Sequence, residues 1–387
     1  MVDLKSQYHN IKTDVDAAIQ EVLDSTIFVK GGKVEAFREH FASYLNVKHV
    51  IPVGNGTDAL MISLLALGLK PGDEVIAPSF TFVATAEVVA LLGLKLVLVD
   101  VDPDTFCISL QDIEKAITCI IYVIVFPVFC IIPENTKVII PVHLFGQNAD
   151  MESILRLAKE RNIYVVEDAC QSIGSYYTFS NGEKYHSGCI GDIGCTSFFP
   201  SKNLGCYGDG GAIFTNNDEL AEKMHSIANH GMKTRYHYER VGVNSRLDTI
   251  QAAILDVKLS HLDGYISSRV AASRYYHEHL KEIDWLRLPI VGAQTTHSYH
   301  QFTVIVDNYN RNDLQAYLKE RAIPTMVYYP KPLHLQDAYR KEECKELPVS
   351  EFLSEKVLSL PMHTELDEEQ LAYIVESIKS FPASINQ

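Results

Sequence analysis

A single lysine sits among glycines in residues 195–216, Cys-Thr-Ser-Phe-Phe-Pro-Ser-Lys-Asn-Leu-Gly-Cys-Tyr-Gly-Asp-Gly-Gly-Ala-Ile-Phe-Thr-Asn. An apolar, aromatic run ends at Pro200. Lys202 follows, then glycines at 205, 208, 210 and 211, before Ala212-Ile213-Phe214 resumes the apolar pattern. This predicts strand, tight turn, strand, with the lysine on the turn. Glycines let the backbone pass close to a bound group. A lysine held there can be desolvated, its pKa lowered and its amine freed to attack a carbonyl. Taken alone, Lys202 reads more readily as a solvated loop lysine.

Two further stretches carry chemistry. His49-Val50-Ile51-Pro52-Val53 predicts a strand that runs into Gly54-Asn55-Gly56-Thr57-Asp58 and then an apolar helix over 59–69. Strand, glycine turn and helix start form an anion site, because the free N–H groups and the helix dipole favour a phosphate. The spacing is G-x-G-x-x-Ala rather than the full dinucleotide fingerprint, and Thr57-Asp58 also fits a simple helix cap. The predicted strand 163–166 ends in Glu167-Asp168-Ala169-Cys170-Gln171. Open α/β sheets bind ligands at such strand ends, although a helix cap is the competing reading of Asp168. Together the three features match what pyridoxal phosphate requires. A lysine holds its aldehyde as a Schiff base, a carboxylate keeps its ring nitrogen protonated, and a helix start holds its phosphate. Phe82, at another strand end, supplies an aromatic ring to stack on the pyridine.

The elements that must position these residues alternate. Helices are predicted over 10–25 and 33–45, with strands at 75–77, 95–101, 138–142 and 163–166. Helices at 84–92 and 151–161 lie between them, and a further helix spans 218–232. Such alternation predicts an α/β fold with a mostly parallel sheet. The pattern from Thr249 is helical to about residue 280. A strand at 301–306 and helices at 312–320 and 368–379 follow. We place a soft boundary in the helical stretch 250–265, giving a large domain over 1–255 and a smaller α+β domain over 256–387.

At 387 residues the chain is long enough for two domains. Its formal net charge of −15 argues against nucleic acid as a partner, since phosphate backbones need clustered cations. The eight cysteines, at 107, 119, 130, 170, 189, 195, 206 and 344, form no C-x-x-C pair and no metal spacing. The start, Met-Val-Asp-Leu-Lys-Ser-Gln-Tyr, lacks an apolar signal core, so a cytoplasmic protein with reduced thiols is expected. The uncharged run 119–132 is shorter than the ~20 apolar residues of a membrane span and is interrupted by Pro127. It predicts a buried strand pair, and no membrane association.

The stretch Ser-Phe-Phe-Pro-Ser-Lys-Asn-Leu-Gly-Cys-Tyr-Gly-Asp-Gly-Gly-Ala resembles the lysine motif of the DegT/StrS family of nucleotide-sugar aminotransferases. Asn-Gly-Thr-Asp-Ala-Leu, Pro-Ser-Phe-Thr-Phe-Val-Ala-Thr-Ala-Glu, Pro-Val-His-Leu-Phe-Gly-Gln, Glu-Asp-Ala-Cys-Gln-Ser and Gly-Val-Asn-Ser-Arg-Leu-Asp match in the family's order. So do Tyr-Tyr-Pro-Lys-Pro-Leu-His-Leu-Gln and Ser-Leu-Pro-Met-His. The resemblance spans nearly the whole chain. It implies a fold-type I, aspartate aminotransferase-like pyridoxal-phosphate enzyme, built as a homodimer with shared active sites. Lys202 is then the Schiff-base lysine and proton shuttle, Asp168 the partner of the ring nitrogen, Gln171 a neighbour of the ring hydroxyl and Phe82 the stacking ring. Gly56, Thr57, Asp58 and Ser197, with Asn244 of the neighbouring subunit, hold the phosphate. Arg246 has the fork suited to a carboxylate of the donor or of an acidic sugar. Tyr328, Tyr329 and His334 are candidates for the sugar-nucleotide side, or for packing of the small domain. The run 119–132 resembles an insertion relative to the family, readable as a buried extra element, a dimer contact or non-native sequence from a gene-model error, and Cys170 stands where the family usually has alanine.

The expected reaction is a ping-pong transamination, in which glutamate gives its amine to the cofactor and the cofactor passes it to a keto sugar. The wording of the lysine and Arg246 motifs most resembles the subgroup acting on UDP-linked 3-keto sugars, including the 3-keto-N-acetylglucosaminuronate of O-antigen synthesis. A dTDP-linked 3-keto or 4-keto 6-deoxyhexose is the runner-up. Relatives that dehydrate sugars replace the lysine with histidine, which Lys202 argues against. A non-catalytic regulator would have no need of Lys202 or Asp168.

Overall fold

The structure, a computed structural model, describes residues 2–117, 123–125, 128–130, 135–340 and 346–385. Its centre is a seven-stranded sheet. The strands are β1 (His49–Val53), β2 (Glu74–Pro78), β3 (Lys95–Val99), β4 (Thr136–Ile139), β5 (Tyr164–Asp168), β6 (Ile193–Ser197) and β7 (Gly211–Thr215). Their spatial order is β1-β7-β6-β5-β4-β2-β3. The pairs β2–β3, β2–β4, β4–β5 and β5–β6 are parallel, and β7 alone runs antiparallel, to β1 and to β6. The sheet is therefore mixed, with six strands sharing one direction.

These strands are nearly continuous apolar runs because both faces are covered. The pleat sends successive residues to opposite sides. Val75 and Val138 join one core with Leu60, Val88 and Met224. These come from the helices α3 (Gly56–Ala66), α4 (Ala84–Leu91) and α7 (Asp218–Ala228), with α1 (Leu4–Ser25) and α2 (Gly32–Leu45) preceding them. Ile76 and Ile139 face the other way, against Ile113 and Ile154. These belong to α5 (Leu110–Ile117) and α6 (Met151–Arg161). A third core packs Phe37 and Phe41 of α2 on Phe198 and Phe214.

The helical pattern from Thr249 is broken in the structure into α8 (Thr249–Leu259) and α9 (Leu262–Leu280), with Ser260 and His261 between them. The expected strand 138–142 begins earlier, at Thr136, and ends at Ile139. Pro141 offers no N–H with which to continue the ladder. The C-terminal region forms a separate three-stranded antiparallel sheet, Leu286–Arg287, Phe302–Val306 and Val357–Leu360. Its core includes Tyr276, Phe302, Leu314, Leu318 and Ile378. Within the run 119–132, residues 123–125 and 128–130 pair as a two-stranded antiparallel ladder. Its other residues and all its side chains lie outside the described residues. Among the described residues no helix is long and apolar enough to cross a membrane.

Candidate active site

Lys202 sits on the hairpin between β6 and β7, where Ser197 pairs with Gly211. The hairpin is tied to itself by three bonds. Phe198 N–H donates to Gly210 O at 2.7 Å, Cys206 N–H to Phe198 O at 2.8 Å and Lys202 N–H to Phe199 O at 2.8 Å. Gly205 must be glycine, because a Cβ there would stand 2.5 Å from the carbonyl oxygen of Pro200. The Gly205 carbonyl in turn accepts a 2.6 Å bond from Nζ of Lys258, a lysine of α8 that is only 1% exposed. Burial pushes the pKa of Lys258 down to about 8. The Lys202 side chain is half-buried. Burial lowers its pKa below the ordinary lysine value, and Cys170 and Asp168 nearby partly offset this. A depressed pKa raises the share of free, nucleophilic amine.

Asp168 is the last residue of β5 and is 5% exposed. One carboxylate oxygen, Oδ2, accepts from the Thr85 hydroxyl at 2.8 Å, and Oδ1 accepts from Cys170 N–H at 3.2 Å. Thr85 lies in the first turn of α4, so a helix from elsewhere in the chain fixes this carboxylate. Its neighbour Glu167 is directed elsewhere and has a structural task. It accepts from His143 Nε2 and from the amides of Gly188, Ile190 and Gly191. Because Ala149 N–H donates to His143 Nδ1, the imidazole proton belongs on Nε2.

The start of α3 comes up against these strand ends. Its cap is Asn55, whose Oδ1 accepts from Asp58 N–H at 2.8 Å. This corrects the reading of Thr57-Asp58 as the cap. The Asp58 carboxylate is instead bonded to the Ser245 hydroxyl at 2.6 Å, and that hydroxyl oxygen accepts from Gly54 N–H. Ala59 N–H returns to Asn55 O. The amides of Gly56 and Thr57 are left as the uncapped donors among the described residues. A Cβ on Gly56 would lie 2.8 Å from Ser197 Cβ and 3.0 Å from Cys170 Sγ. The helix start reaches the strand ends only because that atom is missing.

These elements enclose one cavity of about 810 Å³. Of the residues singled out from sequence, Gly56, Thr57, Asp58, Phe82, Asp168, Gln171, Ser197, Lys202, Tyr328 and Tyr329 line it. Phe82 is 55% exposed, so its ring is open to an occupant. Gln171 donates to the Tyr329 hydroxyl at 3.0 Å and accepts from Phe145 N–H at 2.9 Å. Phe145 holds a φ of +58°, which is rare for a bulky residue. Asn244, Arg246 and His334 do not line this cavity. Asn244 is exposed and forms a bridge with Asn229. The Arg246 side chain is half-buried. His334 is buried, with Nδ1 against the Ser79 hydroxyl at 2.7 Å and Nε2 against Glu351 at 3.1 Å. Sequence reasoning missed Thr85, Phe145 and His300. Thr85 lies within a stretch already singled out, three residues after Phe82. His300 carries no local signal.

A lysine with a lowered pKa, a clamped carboxylate, two uncapped helix-start amides and an open phenyl ring in one cavity fit pyridoxal phosphate. The start of α3, brought against Ser197 at the cavity wall because Gly56 carries no side chain, fits a phosphate at the helix start. The profile of the DegT/DnrJ/EryC1/StrS aminotransferase family matches residues 9–379. The chain belongs to this family. It is 45% identical over 98% of both chains to a protein of Geobacillus stearothermophilus named pleiotropic regulatory protein. It is also 45% identical, over 97% of this chain and 98% of the other, to the UDP-2-acetamido-2-deoxy-3-oxo-D-glucuronate aminotransferase of Pseudomonas aeruginosa. Among solved structures, NtdA from Bacillus subtilis with bound cofactor PMP superposes with a TM-score of 0.85. The two are 32% identical over 98% of this chain and 82% of that one.

Proposed function

We propose that this family member is a pyridoxal-phosphate aminotransferase that moves an amino group from glutamate to the C3 keto group of a UDP-linked sugar. The observation that carries the reading is the meeting of Lys202, Asp168 and the α3 start in one cavity. When bound, the cofactor supplies an aldehyde that takes up an amine and a ring that accepts the electron pair freed at the neighbouring carbon. Lys202 anchors it. The Lys202 amine, favoured in its neutral form by burial, would take the proton from the donor's α-carbon in one half-reaction and, in the other, place a proton on the sugar carbon that receives the amine. Asp168, fixed by Thr85 and the Cys170 amide, would pair with the ring nitrogen and keep it protonated. Gly56 and Thr57 amides and the Ser197 hydroxyl hold the phosphate, with Asp58 ordering the turn through Ser245. Phe82 would stack on the ring, and Gln171 would meet the ring hydroxyl.

The likeness to a UDP-3-oxo-sugar aminotransferase supports the nucleotide and the keto position. A place in surface-polysaccharide or O-antigen precursor synthesis follows from that substrate class. Asn244 and Arg246, outside the cavity of their own chain, are assigned to the active site of a partner subunit in a homodimer. There Asn244 reaches the phosphate and Arg246 a ligand carboxylate. His334 acts from behind the wall formed by Tyr328 and Tyr329, which face the sugar nucleotide. Residues 256–387 form the smaller domain, and the enzyme works in the cytoplasm. A regulator without chemistry would need neither a lysine with a lowered pKa nor a carboxylate held by two donors, although one relative carries a regulatory name.

The deciding test is the visible absorption spectrum of the purified protein before and after glutamate. A band that bleaches with glutamate and is absent in Lys202→Ala supports the reading. A panel of UDP- and dTDP-linked keto sugars, each tested for restoring the band, then assigns the acceptor. A colourless protein that takes up no added pyridoxal phosphate overturns it.

A further inference from the structure

His300 lines the same cavity as Lys202 and Asp168, yet none of the motifs read from the sequence contains it. The residue is 5% exposed. Burial holds its pKa well below the ordinary histidine value, and the charges of Lys202 and Arg269 push the same way. Its imidazole is therefore neutral, with one nitrogen a donor and the other an acceptor. Nδ1 is fully buried without a hydrogen-bond partner among the described residues. That leaves Nε2 as the ring nitrogen turned to the cavity. Buried orphan N–H groups are rarer than under-satisfied acceptors, so the proton belongs on Nε2, as a donor pointed at the occupant.

The loop bearing His300 is built for rigidity. The buried Arg269 donates from Nη1 to the carbonyl oxygens of Tyr299 at 3.0 Å and Met362 at 3.3 Å. Ser298 N–H bonds to Gly146 O at 2.8 Å and Gln301 N–H to Phe145 O at 3.1 Å. Tyr299 holds a φ of +46°, a conformation that non-glycine residues keep only where the surroundings enforce it. A strained loop pinned from both sides thus presents one neutral N–H donor beside the lysine.

We infer that His300 Nε2–H donates a hydrogen bond to an oxygen of the reacting ligand. The oxygen belongs either to the carboxylate of the amino donor or to the keto sugar, and half-reactions separate the two sources. The inference rests on the aminotransferase reading. The experiment measures, for wild type, His300→Ala and His300→Gln, bleaching of the cofactor band by glutamate and its recovery with the keto sugar, each as a function of ligand concentration. Melting temperature and cofactor affinity are measured alongside. The expected result is that His300→Ala weakens the apparent affinity for one ligand, about five- to tenfold for a neutral sugar oxygen and about tenfold or more for the donor's carboxylate. Cofactor affinity and melting temperature stay at the wild-type level, and His300→Gln, which keeps a donor, recovers part of the loss. Movement in the glutamate arm alone assigns the carboxylate, and movement in the sugar arm alone assigns a sugar oxygen. Unchanged affinities in both arms, or a loss that tracks weaker cofactor binding and is not relieved by glutamine, overturns the role of His300 while leaving the aminotransferase reading intact. A wild-type protein inert in both arms overturns the aminotransferase reading and this one with it.

Discussion

Thr85 and Lys258 show how much of the site is set by residues that have no direct chemical task. Thr85 gives Asp168 its shorter hydrogen bond, at 2.8 Å against 3.2 Å from the Cys170 amide. Thr85→Val keeps the shape and removes that donor. A hydrogen bond to a charged group contributes about 1.5–3 kcal/mol, so cofactor affinity should fall about tenfold or more while Thr85→Ser stays near wild type. Titration of the visible band measures this. Lys258 makes the opposite case. Its pKa is about 8 in the fold against 10.5 for an ordinary lysine, so between those values the unfolded chain binds the extra proton. Stability from this group therefore rises with pH across that window and is lost as pH falls through it, by on the order of 3 kcal/mol. Cys170, Cys189 and Cys195 have raised thiol pKa values, and their contribution falls with rising pH near and above 9. The useful quantity is thus a difference. Lys258→Met should be more stable relative to wild type at pH 7 than at pH 10, as read from denaturant melts. An advantage that stays constant with pH would show that Lys258 is not the titrating group.

At the scale of elements, the site is a meeting of one helix start with two strand ends. Glycine in the helical Gly56 position is ordinarily ~1 kcal/mol worse than alanine. Here the added methyl would meet Ser197 Cβ at 2.8 Å and Cys170 Sγ at 3.0 Å, and overpacking of that kind costs about 1–3 kcal/mol. The second effect wins, so Gly56→Ala should lower the melting temperature and weaken cofactor binding together. These elements were legible because their signals are local. Apolar runs that end in glycines, or in the acidic pair Glu167-Asp168, mark the strands, and Lys202, Asp168 and Gly56 all sit at or just past such an end. The rest depends on contacts distant in sequence. Lys258 meets Gly205 across 53 positions, and Thr85 meets Asp168 across 83. His300 is in the cavity only because its loop packs on residues 145–146. The reversed direction of β7 follows from the hairpin that carries Lys202, which the glycine spacing did announce. The break at Ser260–His261 lacks any glycine or proline, and so the helical period ran through it.

For the whole molecule, Asn244 and Arg246 test the homodimer. If Asn244 completes the partner's phosphate site, Lys202→Ala and Asn244→Ala chains, each impaired alone, should complement when dissociated and reassociated together. Random pairing restores about a quarter of the sites, because half the dimers are mixed and each mixed dimer holds one intact site. Activity that stays at the average of the separate variants would place Asn244 in a site of its own chain. The two half-exposed phenylalanines at the cavity, Phe82 at 55% and Phe199 at 52%, have a consequence of another kind. Any occupant that covers these rings removes apolar surface from water, and such removal carries a negative heat-capacity change. Calorimetry at several temperatures should therefore give a binding enthalpy for pyridoxal phosphate that becomes more favourable on warming, with a shallower slope in Phe82→Ser. The apolar rings at the cavity wall are in this sense its built-in thermometer for occupancy.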